Sequence, residues 1–101
     1  MSTDYIVGEV YFRVTYPDAK LCFPQVESFV FVGRNLSDED LEDAWYFQFL
    51  DSYARSGSIL EPQTGQDRRV SVVQASDLGE MLDIQGLVEE LTEAKERRSA
   101  R

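Results

Sequence analysis

Every aromatic residue of this chain lies between Tyr5 and Tyr53. A ring side chain buries roughly 150–250 Å² when it packs, so this clustering fixes where a core must form. Three segments carry most of the rings. Tyr5 to Tyr16 reads YIVGEVYFRVTY. Ile6, Val10, Phe12, Val14 and Tyr16 share one parity and Tyr5, Val7, Glu9, Tyr11, Arg13 and Thr15 the other. Period two predicts a long strand, with the first set facing the core and the mixed second set partly wet. Gly8 marks a bulge or bend in it. Ser28 to Arg34, SFVFVGR, is apolar on both parities and predicts an inner strand. Ala44 to Gln48, within AWYFQFL, predicts another.

The connections follow from turn chemistry. Pro17–Lys20 is a turn, and Leu21-Cys22-Phe23, closed by Pro24, is an edge strand or a loop packed on the core. Asn35 to Asp43, NLSDEDLED, is a solvent-facing connection in which Ser37 and Asp40 are spaced to cap one helical turn with Leu41 inward. Asp51 to Ser56 is a short helix or turn stopped by Gly57.

The second half is aliphatic. Ile59-Leu60 and Arg69 to Ala75 flank EPQTGQDR and predict a loose hairpin anchored by Val70, Val72 and Val73. Asp77 to Met81 predicts a short helix with Asp77 and Glu80 as its capping box. The clearest helix carries Ile84, Leu87, Val88 and Leu91 at i, i+3, i+4 and i+7, a single docking face, with Asp83 as cap and Glu93–Arg97 as an i,i+4 ion pair. Residues 97–101 are expected as a frayed basic tail. With no repeat and no linker, the expected architecture is a single α+β domain over residues 1–101. Its antiparallel sheet of about four strands carries the C-terminal amphipathic helix on one face.

Charge narrows the function classes. Nineteen acidic and ten basic residues, with no histidine, give a net charge of -9. That repels a phosphate backbone and an anionic membrane face, so neither nucleic acid nor membrane is expected as a partner. The longest apolar runs, Phe29 to Val32 and Ala44 to Phe47, are too short to span a bilayer. Residues 1–5 lack a basic, then apolar, signal pattern, and a cytoplasmic location is expected. Cys22 is the single cysteine; without a histidine to act as base it reads as a buried structural thiol. Gly33-Arg34-Asn35 and Pro62 to Gly65 lack the lysine of a phosphate loop, and no cofactor is expected.

Two features point to a contact surface. Asp38, Glu39, Asp40, Glu42 and Asp43 form an acidic run, in which Asp38, Asp40 and Glu42 alternate as calcium ligands can. The glycine and distal glutamate of a calcium loop are out of register, so no metal is expected. Trp45 and Tyr46 are adjacent on a strand and must point to opposite faces, so one of them needs a second packing layer. Arg13 and Arg34 are candidates for surface ion pairs or for holding a small anion. The expected function is non-catalytic protein binding: an inhibitor or immunity-like protein, or a small subunit of a complex. Its partner would be a basic protein or a second copy, met by the acidic run, Trp45 and Tyr46. Two other classes compete. One is a small-molecule effector domain with rings and an arginine lining a cleft; the other is an enzyme using carboxylate, tyrosine or arginine side chains alone.

Overall fold

The computed structural model describes residues 5–37, 43–61 and 69–100. Four strands, β1 (Val10–Thr15), β2 (Gln25–Arg34), β3 (Ala44–Phe49) and β4 (Val70–Gln74), form one antiparallel sheet in the order β1-β2-β3-β4. Helix α1 (Leu50–Ser56) follows β3, a 3₁₀ helix (Ala75–Glu80) follows β4, and α2 (Ile84–Ala100) ends the chain, packed against the sheet at β1. The α+β arrangement read from the sequence is the one observed, and both segments predicted as inner strands, β2 and β3, occupy the middle of the sheet.

Register sets the core. Tyr11 lies opposite Phe29, Phe29 opposite Phe49, Phe31 opposite Phe47, and Trp45 opposite Val73, which places the rings on one face. Phe29 and Phe47 are fully buried there. The 3₁₀ helix crosses this face, and Leu78 and Met81 complete the cluster. Tyr5 folds over it as well, with its ring 4.8 Å from Tyr11 and 5.7 Å from both Trp45 and Phe47. Its hydroxyl reaches the Leu78 and Met81 carbonyls, each at 2.8 Å. Burial, with Tyr11 and Asp83 nearby, raises the Tyr5 pKa.

The first strand is shorter than its pattern and faces the other way. Gly8 adopts φ 90°, and the turn is closed by the Glu9 N–H donating to Ile6 and the Gly8 N–H donating to Phe31. This bend ends the period-two pattern before Val10. Tyr11, from the set assigned to the wetter face, is then the buried residue, because it aligns with Phe29 across the ladder. Ile6 is left exposed.

On the opposite face, α1 covers the middle strands. Gln48 is completely buried and ties this layer together. Its amide donates to the Ser52 hydroxyl and the Gly57 carbonyl, both at 3.0 Å, and its oxygen accepts the Ile59 N–H at 2.9 Å. Gly57, at φ 78°, stops α1 as the sequence suggested. Ile59 and Leu60 lie in the turn beyond it and form no hairpin; β4 pairs with β3 instead, and residues 62–68 lie outside the described residues. Neither Asp77 nor Glu80 caps the 3₁₀ helix.

Helix α2 is held mainly at its ends. Asp83 caps it, accepting the Gly86 N–H at 2.8 Å. Just before it, Leu82 exchanges two backbone hydrogen bonds with Phe12 and closes the β1 edge at that residue. At the other end the helix continues through Ala100, where fraying was expected from residue 97. Arg97 and Arg98 donate to the Leu21 and Cys22 carbonyls at 2.5 and 2.7 Å. The 97–93 ion pair forms at 4.0 Å. Of the predicted docking face, Leu87 is buried but Ile84 and Val88 point outward, 64% and 55% exposed.

Two outcomes follow. Gln48→Leu keeps the volume but strips the Gly57 carbonyl and the Ile59 N–H of this partner, and should cost roughly 2 kcal/mol in urea unfolding. A loss within error of zero would refute the tie. The raised Tyr5 pKa means the fold favours the protonated phenol. Its contribution is complete below the ordinary tyrosine range near pH 10 and disappears as pH climbs through the raised folded value. Alkaline melting should therefore be blunted in Tyr5→Phe relative to wild type, read by circular dichroism against pH.

Candidate functional site

Of the predicted contact residues, Asp43, Trp45 and Tyr46 are described; Asp38, Glu39, Asp40 and Glu42 lie outside the described residues. Asp43 stands at the neck of the β2–β3 connection. Its carboxylate accepts from Arg34 at 2.6 Å and from the Asn35 amide at 3.2 Å. Asn35, at φ 53°, donates its N–H to the Ala44 carbonyl and accepts the Ala44 N–H on its side-chain oxygen. The Arg34 hydrogen bond, then that from Asn35, holds the Asp43 carboxyl below the usual carboxylate range.

A β-bulge brings Trp45 into this group. The register slips between Phe31 and Gly33, so Phe31 and Arg34, three residues apart, pair with Phe47 and Trp45 and share a face. The Trp45 ring then stacks on Phe31 at 5.6 Å and lies under the Arg34 guanidinium at 4.8 Å. Its indole N–H is buried without an acceptor among the described residues. Tyr46 points to the other face, beside Gly33 and Val72. The strand geometry therefore joins Asp43 and Trp45 through Arg34 and separates Tyr46 from both.

The same pairing of an arginine with a ring recurs around the molecule. Arg13 lies 4.9 Å over Phe29 and bonds Glu27 and Ser71. Arg69 lies over Phe49 and bonds Asp51. Arg97 lies over Tyr16 and pairs with Glu90, to which the Tyr16 hydroxyl donates. Arg98 lies over Phe23, while Arg55 pairs with Asp51 at 3.9 Å. Every arginine among the described residues is thus held by the protein's own groups. Asp77, Glu80, Glu89 and Glu96 are exposed and form no ion pair among the described residues.

A second kind of surface lies where the chain enters β1 and α2 begins. A half-open cleft of about 400 Å³ is lined by Ile6, Val10, Phe12 and Ile84, with Glu9 and Asp83 among its walls. Ile6 and Val7 are each 63% exposed. The sequence contained one signal for this site. Ile84, Leu87, Val88 and Leu91 spread over about 100° of helix circumference, and only part of that arc meets the sheet. No periodicity could tell which part.

Cys22 is buried in the β1–β2 connection, as read from the sequence, with its Sγ 3.7 Å from the Lys20 carbonyl. The loop is organised by Asp18, whose carboxylate accepts the Cys22 and Phe23 N–H groups at 2.8 and 2.9 Å. These backbone hydrogen bonds, that from Cys22 foremost, lower the Asp18 pKa. Among the described residues, no three His, Cys, Asp or Glu side chains are grouped to hold a metal ion, and no helix is long and apolar enough to cross a membrane. No protein-family model, curated protein or solved structure matches the chain.

The Asp43 geometry makes a direct prediction. Its depressed pKa contributes stability above the ordinary carboxylate pKa, and this is lost as pH falls through the lower folded value. In Arg34→Ala the Asp43 carboxyl should titrate back toward the usual range in an NMR pH series, and Trp45 emission should shift to the red as its cover is removed. An unmoved Asp43 titration would contradict the assignment of Arg34 as its main partner.

Proposed function

We propose that this chain is a non-catalytic domain that binds another protein through a cationic face of that partner. An inhibitor, an immunity-like antidote and a small subunit of a larger assembly are all forms of this role. One observation carries the reading: every described arginine stacks on a ring or pairs with a carboxylate of the chain, while Asp77, Glu80, Glu89 and Glu96 are exposed and form no ion pair among the described residues. The exterior field of a chain with net charge -9 is then set by carboxylates. Such a field accelerates encounter with a positive partner and discourages anionic ones. Exposed aliphatic side chains beside that field supply what charge alone lacks, since the fully buried centre of an interface is depleted in charged residues.

The test is affinity capture with the wild-type chain and with the Asp77→Asn, Glu80→Gln, Glu89→Gln, Glu96→Gln variant, at low and at physiological salt. The expected result is a retained protein of basic character whose recovery falls in the variant and falls again with salt, as screening within about 8–10 Å requires. A retained set unchanged by the four substitutions and by salt would overturn the proposal.

A further inference from the structure

We propose that the open edge of β4 is a self-association surface, at which a second copy of this chain pairs β4 to β4 antiparallel and continues the sheet across both molecules. The inference goes beyond capture of a basic partner and does not depend on it. The backbone phase of β4 follows from one hydrogen bond. The Phe49 N–H donates to the Arg69 carbonyl, and continuing the β3–β4 register sets these two residues opposite each other. Hydrogen-bonded and non-hydrogen-bonded pairs alternate along an antiparallel ladder. Ser71 and Val73 therefore bond toward β3, while the N–H and C=O of Val70 and Val72 and the N–H of Gln74 point away from it. β4 is the last strand of the sheet, so among the described residues no ladder takes these groups up. The 3₁₀ helix that follows turns inward over the ring face, where it touches β3 and β1, and leaves the edge clear.

Sheets guard an open edge with charge, proline, a bulge or a covering segment. The β1 edge has two of these: Arg13 in the strand, and Leu82, which takes the outward N–H and C=O of Phe12. β4 reads VSVVQ, with no charge, no proline and no break in its register. Val72, at its centre, is 46% exposed on the face where α1 lies over β2 and β3. A second copy fits this edge because the strand is complementary to itself. A two-fold axis through Val72 sets that residue against its own counterpart and Val70 against Gln74, so outward-pointing groups meet only outward-pointing groups. Val72 then exchanges both backbone bonds with its counterpart, and the Gln74 N–H reaches the other copy's Val70 carbonyl. The two exposed Val72 side chains meet on one face, next to the Tyr46 that lies across the ladder from each. No charged residue lies within the pair. At its ends, the same register sets Arg69 of one copy across from Ala75 of the other, at the start of the 3₁₀ helix that carries the exposed Asp77. Opposite charges thus approach at both ends. An extended segment of a basic protein fits less well, because VSVVQ offers it no carboxylate.

The test follows the full chain by sedimentation equilibrium up to about 1 mM, with amide hydrogen exchange read by NMR over the same series. Wild type should pass from monomer to dimer. Association should tighten as salt is added, because screening relieves the repulsion between two chains of net charge -9. Exchange at the Val72 and Gln74 amides should slow with concentration, while Val10 and Val14, on the opposite edge, stay unchanged. Val72→Lys sets two ammonium groups against each other at the axis and should weaken the dimer roughly tenfold or more, although it lowers the net charge. Its site is exposed, so the melting temperature should be kept. Ile84→Lys makes the same charge change on α2, which packs at the β1 edge, and should dimerise like wild type. Val72→Pro removes an N–H that β3 does not use and should give the same loss by a separate route. A monomer at every concentration, a dimer left intact by both Val72 variants, or a dimer that protects Val10 and Val14 instead each overturns this pairing. A dimer that added salt disperses overturns it too, since it marks a charged interface elsewhere. All of these results leave the basic-partner reading to its own capture experiment.

Discussion

The structure depends on a layer of rings gathered on one face of a short sheet. Phe29, Phe31 and Phe47 lie on the two inner strands, so each has neighbours on both sides along the ladder, and Tyr11 and Val73 extend the layer to the edges. Edge-to-face and tilted contacts at 4.8–6.1 Å join Tyr5, Tyr11, Phe31 and Phe47, and Phe29 meets Phe49 at 4.8 Å. Such contacts add about 0.5–1.5 kcal/mol each beyond the area they bury. What closes the layer is not the long helix but two small devices, the Tyr5 ring and the Leu78–Met81 turn, linked to each other through the Tyr5 hydroxyl.

That division of labour accounts for how much could be read in advance. The inner strands were legible because alternating rings and valines leave no other reading for SFVFVGR or AWYFQF. The α1 stop at Gly57 and the Asp83 cap were legible because their chemistry is local. The first strand was misassigned in phase because Val10, Phe12 and Val14 make its even set look the more apolar, whereas alignment with Phe29 across the ladder puts Tyr11 on the ring face. The partner of β4 could not be inferred either. Pairing β4 with β3 across α1 is a long-range choice, and nothing in residues 59–75 encodes it locally. Of the candidate site, Trp45 and Tyr46 were correctly placed on opposite faces by strand geometry, but the bulge that sets Arg34 over Trp45 is invisible to a count by twos.

The arginines have a structural use that composition hides. A guanidinium lying on a ring covers apolar surface with its planar face while its N–H groups reach carboxylates at the rim. Here that arrangement covers Phe29, Phe49, Trp45, Tyr16 and Phe23 at the borders of the ring layer and its connections. A small sheet has more ring edge than its helices can cover, and stacked arginines cover the remainder without needing another element. The consequence is electrostatic: the stacked arginines are engaged by rings and carboxylates of the fold, and carboxylates outnumber cations over the chain by nineteen to ten.

Helix α2 makes the same trade in reverse. A helix is ordinarily docked by its apolar stripe, and this one could have used Ile84, Leu87, Val88 and Leu91 together. Instead its ends are fixed by polar contacts: the Asp83 cap and the Phe12–Leu82 exchange at one end, Arg97 and Arg98 on the carbonyls of Leu21 and Cys22 at the other. Leu87 and Ala94 supply the buried contact between them. Because those anchors set the rotation of the helix about its axis, the stripe is split, and Ile84 and Val88 face away from the sheet, with Ile84 and Ile6 lining one cleft. Turning the helix to bury them would break the arginine contacts and carry Leu87 and Ala94 toward solvent. The outward setting of Ile84 and Val88 is therefore fixed by the anchoring of α2.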